Sequence, residues 1–125
     1  MKKKLFVGFA GSLMLVTVAF AAPKDSTYTG EIMDGSCAKN TSHEMMVKKE
    51  GMGDAADPKV RKMCSQGCVK MSGSKYVLYN KASKAVYQLD DQAKPADFAG
   101  GNVKITGTLD KATKTIHITS IEAAP

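Results

Sequence analysis

The strongest constraint on the fold is a series of short β-forming segments in the second half of the chain. Residues 75–79 and 85–89 are rich in valine, leucine and tyrosine, and a polar turn separates them. Residues 102–109 and 115–121 alternate apolar and polar side chains around another turn, a period of two that turns one face of each strand toward a core. Together with residues 28–33, these segments predict five short strands and a mainly β fold.

The order of the predicted elements indicates a particular kind of small β domain. A short helical turn is expected within residues 91–99, because a proline stands near its start and two glycines follow it. Five short antiparallel strands with a helical piece between the third and fourth are typical of a small OB-like barrel. A five-stranded meander packed against one helix is the alternative topology.

A segment of different composition separates the first two strands. Residues 33–71 hold all three cysteines and every methionine that follows the N-terminal apolar run. Asp57 and Pro58 predict a helix start, with aspartate as the N-cap and proline at the first helical position. The helix should run to about Cys64 or Cys68, unless Gly67 ends it early. The predicted fold is therefore a five-stranded OB-like antiparallel barrel with a helix-containing insertion, residues 34–72, between strands 1 and 2.

The N-terminus predicts export. Lysines at positions 2–4 precede an apolar run over residues 5–20, and the alanines at 19 and 21 fit the small-x-small cleavage rule. The run is short for a bilayer span. We therefore expect a secretory signal peptide over residues 1–22 and a single OB-like domain over residues 23–125. The mature protein should be periplasmic or secreted, with no membrane attachment after cleavage.

Charge and motif content exclude several function classes. The formal net charge is +6, and it falls to +3 when the three lysines of the predicted signal leave with it. Such a mild charge gives no reason to expect a nucleic-acid partner. The sequence also lacks a Ser-His-Asp pattern, a phosphate-binding loop and a paired-carboxylate motif. We accordingly expect a protein that is not an enzyme, with no catalytic residues and no organic cofactor.

Four residues of the insertion have the chemistry of metal ligands: Cys37, His43, Cys64 and Cys68. On a continuous helix, Cys64 and Cys68 share one face with their Cβ atoms roughly 5–6 Å apart. A disulfide needs Cβ atoms about 3.8 Å apart, so this spacing suits a shared metal better than a bond between the two. Three cysteines and one histidine form a Cys3His set, typical of structural zinc. Copper is the alternative metal, because thiolates and nearby methionine thioethers suit Cu(I).

A disulfide is the main alternative to a metal. Cysteines of exported proteins are usually paired. A bond from Cys37 to Cys64 or Cys68 would fasten the insertion to the barrel, contribute about 3 kcal/mol and leave one thiol over. The chain would then be a ligand- or protein-interaction module without metal. A third reading is a thiol-active protein, although the spacing is neither C-x-x-C nor C-x-x-C-H. We expect His43 in a polar loop. Its distance from the cysteines distinguishes a metal site from the alternatives without metal.

Three groups of residues carry a resemblance to a known family: residues 30–37 (GEIMDGSC), residues 64–68 with 73–78, and residues 86–89 with 98–109 and 115–118. In these residues the chain resembles a family of small exported bacterial domains of unknown function with an OB-like fold. These pieces span nearly all of the chain after the predicted signal. The resemblance implies a fold more than an activity, because the family brings no assigned reaction or ligand.

Overall fold

A computed structural model describes residues 22–39 and 43–125, so the predicted signal peptide lies almost wholly outside the described residues. Within this part of the chain, no helix is both long and apolar enough to cross a bilayer. The elements, in chain order, are β1 (Ser26–Asp34), α1 (Gly35–Lys39), α2 (His43–Lys49), α3 (Pro58–Ser72), β2 (Tyr76–Asn80), β3 (Ala85–Leu89), α4 (Ala93–Ala96), β4 (Asn102–Asp110) and β5 (Thr115–Ala123).

The five strands form one mixed sheet in the order β1-β2-β3-β5-β4, and β4 also pairs with β1. Four of the contacts are antiparallel, but β3 and β5 run parallel through the pairs Gln88 with Thr115 and Leu89 with Ile116. The predicted all-antiparallel arrangement is therefore wrong at this contact. The reason is parity: antiparallel neighbours alternate in direction, and five strands paired in a cycle cannot alternate all the way around.

Two apolar clusters lie on opposite faces of β1 and β2. Side chains alternate between the faces of a strand, so Ile32 and Leu78 face one cluster while Met33, Val77 and Tyr79 face the other. The first cluster is the core of the sheet: Ile32, Tyr76, Leu78, Leu89, Ala99, Val103, Ile105 and Ile116. The second joins the sheet to the insertion: Met33, Cys37, Ala38, Val47, Val60, Cys64, Val77 and Tyr79.

Helix α3 begins as its sequence predicts. Asp57 accepts a hydrogen bond from the Lys59 backbone N–H at 2.8 Å, and Pro58 occupies the first turn. The helix continues through Gly67 and ends at Gly73, whose φ of 67° is the left-handed cap conformation. Gly67 therefore does not shorten the helix, and the cysteine pair stands on continuous helical backbone.

Close contact between α3 and the 98–101 turn fixes the position of the helix. Gly100 has a φ of 76°, and a Cβ there would collide with the backbone of Arg61 and Lys62. The Gly100 N–H donates to the Ile32 carbonyl at 2.7 Å, and Arg61 Nε donates to the Gly100 carbonyl at 3.1 Å. The turn thus binds the centre of β1 on one side and the first turns of α3 on the other.

Candidate metal centre

The end of β1 brings a carboxylate and the first cysteine together. Asp34 is the last residue of β1, and its Oδ2 accepts the backbone N–H of Cys37 at 3.0 Å. The Gly35 N–H donates to the Lys75 carbonyl at 2.9 Å, which holds the start of α1 against the chain leading into β2. Asp34 and Cys37 are both fully buried. Their side chains are therefore held by a strand end and a short helix.

Helix α3 supplies the other two cysteines. Cys64 is buried, while Cys68, one turn later, is partly exposed. The Cys64 thiol contacts the thiols of both Cys37 and Cys68. All three cysteines lie in the described residues and all three are free thiols. The disulfide that the sequence offers as an alternative is not formed between any of them.

The sequence predicts that His43 lies in a polar loop, and this prediction is wrong. His43 is the first residue of α2 and is only 4% exposed. Its Nε2 lies 3.0 Å from Glu31 Oε1, an oxygen that is also 3.6 Å from Arg61 Nε. The contact with Glu31 is not aligned as a hydrogen bond, and in the described part of the chain neither ring nitrogen has a hydrogen-bond partner. Buried polar atoms in this state are costly, so the ring is suited to a further partner.

The predicted ligands come together in two groups that share one residue. In each group, the ligand atoms all lie within 4.8 Å of one another. Cys37, His43 and Cys64 form the first group, and all three are buried. Asp34, Cys37 and Cys68 form the second. Among the described residues, no such group contains all four of the predicted ligands together.

Asp34 is the site residue that the sequence analysis missed. Its signal was present, because an aspartate three residues before Cys37 is the spacing of an N-cap that binds the third helical N–H. The short helix α1 was not predicted, so that spacing had no structural context. Asp34 Oδ1 has no hydrogen-bond partner among the described residues, although the side chain is completely buried.

The environment keeps the metal-free thiols protonated. Burial raises the pKa of the Cys37 thiol well above its usual range, and the hydrogen bond and negative charge of Asp34 add to this effect. Burial likewise raises the pKa of Cys64, and burial followed by the charge of Asp34 raises the pKa of Cys68 to about 11. A metal that binds here must displace these protons, so its affinity would increase with pH.

An open cleft of about 740 Å³ adjoins the site on the side of His43. Its described lining includes His43 and Glu31 together with three cationic side chains, Lys48, Arg61 and Lys81. The cysteines are not among these lining residues. The cleft therefore borders the ligand group at His43 and not at the cysteines.

Comparison with known proteins gives a family without an assigned function. A family model described as "Protein of unknown function (DUF5818)" matches residues 66–124. This match fits the resemblance to a small family of unknown function that the sequence indicates. The matched region runs from the second half of α3 to β5, so it includes Cys68 and excludes the other candidate ligands. No curated protein and no solved structure matches the chain.

Proposed function

We propose that this protein is an exported, non-enzymatic metal-binding domain whose central ligands are Cys37, His43 and Cys64. The observation that carries the proposal is the first ligand group: side chains from three different helices converge within 4.8 Å in a buried position. Two sulfurs and an imidazole nitrogen are ligands that zinc accepts. Cys68, one helical turn from Cys64, would complete the Cys3His set where a single ion is bound.

The dimensions of the site support a zinc ion. Zinc binds sulfur at about 2.3 Å and nitrogen at about 2.0–2.1 Å, which holds neighbouring ligand atoms roughly 3.5 Å apart in a tetrahedron. From their upper limit of 4.8 Å, the ligand atoms of the first group would need to approach one another by at most about 1.3 Å. Rotation of side chains achieves a change of this size. Cu(I) is the alternative ion, since it accepts two thiolates and an imidazole.

Glu31 supports this assignment from the far side of the imidazole. Metal-bound histidines almost always place their other ring nitrogen against a carboxylate, a carbonyl or water. Glu31 Oε1 lies 3.0 Å from His43 Nε2, so Nδ1 is the nitrogen that would bind the ion. Arg61, 3.6 Å from the same oxygen, fixes the carboxylate in turn. A metal at Nδ1 would satisfy a nitrogen that is otherwise buried without a partner.

The proposed fold is an OB-like barrel on which the insertion builds the metal site. Its support is the pairing of β4 with both β1 and β5, together with the single helical turn α4 between the third and fourth strands. The barrel would act as a rigid base, because the insertion helices pack their apolar side chains on the outer face of β1 and β2.

The test is a zinc titration of the reduced mature protein, with matched histidine variants. His43→Ala should weaken zinc binding by at least about tenfold, because it removes a direct ligand. His117→Ala is the control: it removes the other histidine, which is exposed on β5 and paired with Asp90. Three titratable thiols and bound zinc in protein purified from the periplasm would support the proposal. One thiol and no metal would contradict it.

The cleft beside His43 favours a second candidate, a disulfide-fastened module that binds a ligand without metal. Three cationic and three acidic side chains line the cleft, and the sulfurs of Cys37 and Cys64 lie within 4.8 Å of each other. A bonded pair would be about 2.05 Å apart. The thiol count described above separates this candidate from the first.

A further inference from the structure

Asp34 has a buried carboxylate oxygen that a single metal ion at the first ligand group would leave without a partner. Its side chain is fully buried, and its Oδ2 accepts the Cys37 N–H. The other oxygen, Oδ1, has no hydrogen-bond partner in the described residues. An unpaired carboxylate oxygen in an apolar cluster is strongly unfavourable unless a cation or a donor approaches it.

The second ligand group gives that oxygen a role. Asp34, Cys37 and Cys68 offer a carboxylate oxygen and two sulfurs, all within 4.8 Å of one another. This set does not include His43 or Cys64. It joins the end of β1 and α1 to Cys68, in the later part of α3. Cys37 is common to both groups, and a thiolate sulfur has enough lone pairs to bind two metal ions at once.

Charge balance favours two ions over one. Three thiolates and one carboxylate carry more negative charge than one divalent cation neutralises, whereas two divalent cations match it. Buried charge is tolerated only where it is paired. Arg61, a cationic side chain of α3, already lies 3.6 Å from Glu31 beside His43.

We propose that Asp34, Cys37 and Cys68 form a second position for a divalent, thiophilic cation such as zinc, bridged to the first position by the Cys37 thiolate. This inference rests on the proposed function and extends it to a two-ion cluster. Each thiol that binds gives its proton to solvent. Cys68 is the partly exposed member, so the second position is the outer one and exchanges its ion faster than the first.

The test is native mass spectrometry of the reduced mature protein titrated with Zn2+. The wild type should bind two ions, and Asp34→Asn should bind one. Asparagine is nearly isosteric and remains a good N-cap, so this variant keeps the Cys37 contact while it loses the charge. Asp57→Asn is the matched control, because Asp57 is also an N-cap aspartate but is exposed at the start of α3. It should still bind two ions.

Two further variants assign the positions. Cys68→Ser should also bind one ion, and it serves where Asp34→Asn proves unstable, because Cys68 is partly exposed. Cys37→Ser should lose both ions. With Co2+ as the probe, the magnetic signal per ion should fall when the second ion binds, because a shared thiolate couples the two centres.

The outcomes separate the two proposals. A wild type that binds one ion, unchanged by Asp34→Asn, would overturn the two-ion cluster and leave the proposed function standing. A wild type that binds no zinc would overturn both. Two ions that Asp34→Asn and Cys68→Ser do not reduce would place the second ion elsewhere, which also overturns the inference.

Discussion

His43 and Asp34 show how burial converts ordinary residues into candidate ligands. Each is polar, each is almost inaccessible to solvent, and each keeps an atom that no described residue satisfies. Met63 gives the opposite case. Its neighbour Cys64 is buried, but Met63 is 54% exposed, since adjacent helical residues point about 100° apart. At this scale, function follows from the environment of a side chain rather than from its type.

Glu31 provides a residue-scale prediction. Glu31→Gln should weaken zinc binding about tenfold to a hundredfold without abolishing it, because the carboxylate orients His43 and increases its basicity but is not itself a ligand. Competition with a chromophoric chelator measures the change. Glu122→Gln is the control, since Glu122 is exposed and pairs with Lys104 away from the site. Equal affinities for the two variants would remove Glu31 from the account.

Individual elements differ in how well the sequence predicts them. Strands β1 to β5 follow from the period of two and from turn residues, and their ends fall within about two residues of the expected positions. Helix α3 follows from its Asp-Pro start. Helices α1 and α2, of five and seven residues, are too short to have a clear period of their own. They form because tertiary packing buries Cys37, Ala38 and Val47.

The parallel contact between β3 and β5 could not be predicted from local pattern, because it depends on how five strands close. A side chain reinforces it: Asp90, just after β3, accepts the Ile118 N–H at 3.0 Å and lies 3.2 Å from His117 Nδ1. Partial burial opposes ionisation, but these β5 groups outweigh it and lower the pKa of Asp90.

This contact gives an element-scale prediction on pH. Because the pKa of Asp90 is lowered on folding, its stabilising contribution is present above the ordinary aspartate pKa of about 3.9 and disappears as the pH falls through the folded pKa. Asp90→Asn should therefore lower the melting temperature by a few degrees at neutral pH and have little effect at strongly acidic pH. Thermal melts across that range measure it. A pH-independent difference would contradict the assigned charge contact.

The molecule as a whole has two parts with separate cores. The sheet has its own apolar cluster, and the matched family region covers most of that sheet. The insertion packs on the outside of the sheet and contributes most of the candidate ligands. The family match therefore covers most of the sheet. Of the candidate ligands it includes only Cys68.

This division predicts a local response to metal removal. A strong chelator should increase amide hydrogen exchange in α1, α2 and the cysteine-bearing turns of α3, because metal binding contributes directly to the folding of the segments it joins. Strands β4 and β5 should change little. Cys37→Ser should exchange at the chelated rate with or without zinc. A uniform increase across sheet and insertion would contradict the two-part account.

X-ray absorption at the zinc edge of the loaded protein tests most directly whether Cys37, His43 and Cys64 hold the ion. We expect mixed coordination, with sulfur at about 2.3 Å and imidazole nitrogen at about 2.0–2.1 Å. The imidazole signal should disappear in His43→Ala but not in His117→Ala. A first shell of oxygen and nitrogen alone, or an imidazole signal that persists in His43→Ala, would contradict the claim that Cys37, His43 and Cys64 hold the ion.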